Sequence, residues 1–148
     1  MIVLPPCTTT APDRSSTMKQ IQQFGMPWEE EYGYAQAVRV GDTVCLAGQV
    51  GHDDAGQLAN GMDAQMRLAY SNIKKLMEGF DMTMDDIVEE VVYVMDIDSA
   101  FSSRKQLGKE YYTNPMEIAS TLIAVARLAL VGQLVEIKIL ARKRGLPY

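Results

Sequence analysis

A single histidine, two cysteines and one tryptophan are spread over 148 residues. With His52 alone, a transition-metal site of the usual His and Cys ligands cannot be assembled within one chain. A Ser-His-Asp or Cys-His arrangement would need His52 as its base, and nothing in the sequence sets it beside a nucleophile. No metal and no cofactor are therefore expected. Cys7 falls in a tail-like stretch and Cys45 in an apolar run, which suggests no disulfide framework. No apolar run approaches the ~20 residues needed to span a bilayer, and the first residues lack the charged start and long apolar segment of a signal peptide. A cytoplasmic protein without a membrane partner is the expectation. Basic residues are also scarce, 14 against 19 acidic ones, for a net charge of −5. Nucleic-acid affinity comes largely from neutralising phosphates, so a polyanion is not the expected partner, and Arg142, Lys143 and Arg144 form too short a run to change that.

What is present is ordinary globular material: 47% hydrophobic and 22% charged residues, enough for one core and too apolar for a disordered chain. Ten methionines, flexible gap-fillers, are expected mostly inside. Residues 1–17, rich in Pro, Thr and Ser, read as a mobile extension, and 18–148 as one domain.

The spacing predicts a short strand near Lys19 to Phe24. Two β-rich segments follow, Ala35 to Val40 and Thr43 to Val50, closed as a hairpin by Gly41-Asp42. Gly51 to Asn60 has the composition of a loop. Met62, Met66, Ala69, Ile73, Leu76, Met77 and Phe80 recur at helical intervals, and Gly79 fits a helix stop. Asp85 to Asp96 reads as a strand covered on both faces, with Val88, Val92 and Val94 on one side. Asp98 or Ser99 can cap a second helix in which Phe101, Arg104, Leu107 and Tyr111 share a side, and Asn114-Pro115 ends it. Two last strands, Ser120 to Leu130 and Gln133 to Ala141, are joined through Gly132. The order implies an α+β fold: a mixed sheet with two helices on one face. The other sheet face is left uncovered, so association into a homo-oligomer is expected, with small-molecule clefts between subunits.

Glu136 interrupts the apolar run Leu134 to Leu140. From spacing alone it is either a solvent-facing acid beside Lys138 at a sheet edge or a carboxylate held in a cleft with a raised pKa, able to move protons to and from water. Gly48 either forms a plain bulge or lets a ligand approach the backbone. Tyr34 offers a hydroxyl and an aromatic wall, or simply packs. Arg127 reads as a structural ion pair or strand-end charge before it reads as catalytic. Asp85, Asp86, Glu89 and Glu90 read as exposed charge.

In order along the chain, Tyr34-Ala35-Gln36-Ala37, Leu46-Ala47-Gly48-Gln49-Val50, the helix with Gln65 and Asn72, Val92-Tyr93-Val94-Met95-Asp96 and Val135-Glu136-Ile137 resemble the Rid family, also called YjgF/YER057c/UK114, over roughly residues 25–142. The resemblance implies a chorismate-mutase-like α+β domain, a homotrimer with three intersubunit clefts. It also implies hydrolysis of reactive imines and enamines, in which an arginine clamps the substrate carboxylate and a glutamate positions water. Carried over, Glu136 is that glutamate, Gly48 the glycine facing the ligand and Tyr34 the cleft tyrosine. The arginine is missing: the family pattern Pro-x-Arg-Ser is replaced by Ile118-Ala119-Ser120-Thr121, with Ser120 at its position. Ser120 and Thr121 are then expected at the polar end of the substrate, with Arg104 or Lys105 as a charge arriving from another direction. The expected activity is that of an imine or enamine hydrolase other than a standard 2-iminopropanoate deaminase. The alternatives are a non-catalytic metabolite sensor and, third, a ribonuclease or translation inhibitor.

Overall fold

The computed structural model describes residues 18–145, so the extension expected at 1–17 lies outside the described residues. The chain runs β1 (Gln20–Gln22), α1 (Pro27–Tyr32), β2 (Ala37–Val40), β3 (Thr43–Val50), α2 (Met62–Glu78), β4 (Ile87–Val94), α3 (Ile97–Tyr111), β5 (Ala119–Ala124) and β6 (Val135–Arg142). Six strands form one mixed sheet in the order β1-β2-β3-β6-β4-β5, antiparallel except where β5 lies parallel to β4. The hairpin of β2 and β3 turns at Gly41, whose φ of 60° belongs to the left-handed region that tight hairpin turns require.

The methionine and isoleucine stripe of α2 forms the core as its period demands: Met66, Ala69, Ile73, Leu76 and Met77 are all buried against Leu46 of β3 and Ile137 and Ile139 of β6. α3 packs beside α2 and over β5, so both long helices cover the same sheet face. The other face carries Val40, Cys45, Leu140 and Ile123 exposed. The fold class read from the sequence holds in this respect.

Several local expectations do not hold. Gly132 does not join the last two strands directly: it lies in the longer loop between β5, at the sheet edge, and β6, which inserts between β3 and β4. β5 ends at Ala124 rather than Leu130, leaving Arg127 in the connecting loop. The helix cap is Asp96, which accepts the Ser99 N–H at 2.9 Å, rather than Asp98 or Ser99, and Phe101 is exposed while Ala100, Ser103 and Leu107 face inward. A register shift near Val88 places Ile87, not Val88, on the core side with Val92 and Val94. Glu90, expected outside, is fully buried on the helix side, and Asp86 is buried as well.

Candidate functional site

The short helix α1, for which the sequence reading had no element, starts on Pro27 at its first turn and ends at Gly33 in a left-handed conformation. Its Glu29 is buried and turns back on the preceding backbone, accepting N–H groups of Phe24, Gly25 and Met26 at 2.9–3.0 Å and the Gln36 amide at 2.8 Å. Burial alone would push this carboxyl up, but the hydrogen bonds outweigh it and hold the group below the usual carboxylate range. Gln36 in turn accepts from the Gln49 amide at 3.0 Å and donates to the Tyr34 hydroxyl at 3.1 Å. That hydroxyl, already an acceptor, keeps its own proton for donation. Burial, then the charge of Glu29, pushes the Tyr34 phenol further up, so the proton stays on.

Tyr34 opens on a cavity of about 610 Å³ walled by Trp28, Tyr32, Gly48, His52 and Glu136. β3 bulges here: Leu46 pairs with Ile139 and Gln49 with Ile137, which takes Ala47 and Gly48 out of the ladder. The bulge brings the Gly48 backbone onto the Glu136 side chain. A Cβ at Gly48 would stand 2.6 Å from Glu136 Cγ and overlap its carboxylate, so any side chain here displaces Glu136 from this position. Glu136 sits on the face opposite the helices, half-buried, and burial raises its pKa. The distal wall comes from Leu130 and Gln133 in the loop before β6. Gln65 of α2 holds that loop, donating to the Gly132 carbonyl at 2.9 Å and accepting the Leu134 N–H at 2.8 Å.

Of the residues singled out from the sequence, Glu136, Gly48 and Tyr34 meet at this cavity. The others do not join them within one chain. Ser120 donates to Glu90 Oε1 at 2.8 Å on the helix side of the sheet. Arg104 binds the same carboxylate, and Tyr70 and Tyr112 donate to Glu90 Oε2 at 2.7 and 2.8 Å. Arg104 also lies 5.5 Å over the Tyr112 ring. Thr121 is exposed on edge strand β5, and Lys105 lines a separate recess along α3. Arg127 borders a small recess formed with Val131 and Gln133. His52, read only as an isolated histidine, is buried in the cavity wall, its Nδ1 2.8 Å from the Asp53 carbonyl and its ring 5.2 Å from Trp28. Trp28 was missed, although Pro27 followed by Glu29 and Glu30 is a helix-start signal. Among the described residues no cluster of three His, Cys, Asp or Glu side chains could hold a metal ion, and no helix is long and apolar enough to cross a membrane.

The YjgH protein of the RutC family from Escherichia coli K12 is 30% identical over 112 residues, 76% of this chain and 84% of its own. A 2-iminobutanoate/2-iminopropanoate deaminase of Dermatophagoides farinae is 30% identical over 97 residues, 64% of this chain and 74% of its own. Among solved structures, Rv2704 of Mycobacterium tuberculosis, a member of the YjgF/YER057c/UK114 family, superposes with a TM-score of 0.75 at 27% identity, covering 85% of this chain and 100% of its own. RidA of Psychrobacter sp. PAMC 21119 gives 0.74 at 31% identity, covering 83% and 98%. The profile of the Endoribonuclease L-PSP family matches residues 28–143. The chain belongs to the Endoribonuclease L-PSP family, which is also the YjgF or Rid family.

Proposed function

We propose that the protein hydrolyses an imine or enamine, and that it does so as a homotrimer whose cavities are completed between subunits. The observation carrying this reading is the half-buried Glu136 carboxylate, raised in pKa by burial and pressed against Gly48 in a cavity that also holds the Tyr34 hydroxyl. A carboxylate so placed takes a proton from water as the water oxygen adds to the iminium carbon, while the carbon–nitrogen π pair moves onto nitrogen. Glu136 returns that proton to the amine of the resulting carbinolamine. Ammonia leaves as the hydroxyl proton passes to Glu136 and the carbonyl forms, and the ammonia then takes that proton, so one iminium and one water yield one carbonyl and one ammonium ion. Tyr34 donates to the polar end of the intermediate, and the Gly48 backbone allows its close approach. The uncovered sheet face supports the oligomer, since an apolar face of this kind is usually buried by association. The Dermatophagoides relative, named a deaminase, supports the chemistry.

The test is ammonia release from freshly generated imines in a broad panel. Turnover is expected to fall about 10²–10⁴-fold in Glu136→Gln, the range a positioned general base supplies. No turnover of any imine would sink the proposal. That outcome, combined with thermal stabilisation by a metabolite, would favour a second reading as a ligand sensor. The second reading rests on one observation: among the described residues walling the cavity there is no Lys or Arg to orient a substrate carboxylate. A ribonuclease role suits the site least, because a negatively charged chain with an acid in its cavity repels a phosphate backbone.

A further inference from the structure

We infer that the cavity beside Glu136 selects a cationic ligand with an apolar or aromatic body and no carboxylate, such as the iminium of a simple amine. This rests on the reading of that cavity as the working site. Three observations converge. The first is charge: Glu136 stands in the wall, and Glu29, kept ionised by three backbone N–H groups and Gln36, lies directly behind Gln36. Both negative charges are felt at the Tyr34 hydroxyl, so they act on the same end of the cavity. No lysine or arginine among the described residues lines the space: Arg104 is held by Glu90 on the other face of the sheet, and Arg127 borders the adjoining recess rather than this one.

The second is the wall itself. Trp28 and Tyr32 come from one turn of α1 and Tyr34 follows it, with the Tyr32 and Tyr34 rings 5.9 Å apart, edge to face. Aromatic faces attract an ammonium or iminium within about 6 Å and do nothing comparable for an anion. The third is room: about 610 Å³ accommodates a ring-bearing small molecule, and Ala47, Val50, Ala129 and Leu130 add apolar surface beside the uncharged amides of Gln36 and Gln133. An anion entering here would lose its hydration beside a like charge, whereas a cation exchanges water for a carboxylate and π faces.

The single tryptophan of the chain stands in this wall, so its emission reports binding without any need for turnover. The full-length protein is titrated with benzyltrimethylammonium, benzyl alcohol and benzoate, a set that differs in charge around one ring. The cation is expected to saturate the signal about tenfold more tightly than the alcohol, with benzoate weakest. Glu136→Gln should cut the preference for the cation over the alcohol severalfold while leaving alcohol binding in place. Tyr32→Leu, at a position 85% exposed and so harmless to folding, should weaken the cation severalfold. Benzoate binding as tightly as the cation overturns the inference, as does a cation preference undiminished in Glu136→Gln, or no response to the cation at millimolar concentration. Cation selectivity without ammonia release would leave this inference standing and remove the hydrolase reading instead.

Discussion

Ser120 and Glu136 lie on opposite faces of one sheet. Ser120 stands beside Glu90 in the β4–β5 ladder and bonds it under the helices, while Glu136 stands beside Tyr93, three residues further along β4, and looks the other way. The two rows are about 10 Å apart along the strand. A side chain at 120 thus reaches the Glu136 cavity of its own chain neither by direction nor by length.

Replacing Ser120 with arginine brings a second guanidinium to the carboxylate that Arg104 already holds, and removes a hydroxyl donor. Ser120→Arg is expected to lose about 1–3 kcal/mol in denaturant unfolding. Under the trimeric proposal, any 2-iminopropanoate turnover it gains comes from strand β5 of a neighbouring copy and fades on dilution below the assembly threshold.

Glu136 also sets a pH dependence of stability. Burial raises its pKa in the folded protein above that of the unfolded chain, so the folded state holds the extra proton. The stability tied to that proton is complete below the unfolded value, near 4.5, and is lost as pH rises through the folded one. Glu136→Gln should therefore melt higher than the parent at pH 7, by ~2 °C, and equal to it near pH 4. Calorimetry across that range checks it; a difference growing toward acid would contradict the burial of this group.

Gly48→Ala forces a methyl group into the Glu136 side chain. The carboxylate must rotate away or β3 must shift, at a cost of about 1–3 kcal/mol. Ammonia release should fall with it, and tryptophan emission should change because Trp28 shares the cavity.

Arg104→Met tests the buried cluster independently. It leaves Glu90, with no exposure to water, holding its charge against hydroxyl donors alone. A loss of about 3 kcal/mol is expected at neutral pH, with much of it recovered in Arg104→Met/Glu90→Leu, where no charge remains.

The sequence showed the architecture because its period is clean where packing is simple. The α2 stripe and the Gly41 turn each follow from one local rule, and both stand where the residues put them. Strand partners were another matter. Whether β5 turns back on β6 or lies parallel beside β4 depends on which edge is free, and no residue in either strand records that. Glu90 was misplaced for a different reason: alternation sets it on the face of Val92 and Val94, but an acid reads as exposed until its partners are known, and Tyr70, Arg104, Tyr112 and Ser120 come from other elements. In the cavity, Glu136 and Gly48 were legible as oddities in apolar strands, whereas Trp28 and His52 come from separate segments that only the folded chain joins.

Glu90 accepts from two phenols, a serine and a guanidinium carried by α2, the residue following α3, β5 and α3. Four donors from three stretches of chain thereby share one anion, and none can be exchanged alone without stranding the rest. Such a knot makes sequence drift here stepwise and reluctant: relatives should keep the whole set or replace it wholesale with hydrocarbon, and a chain holding only half of it should be rare.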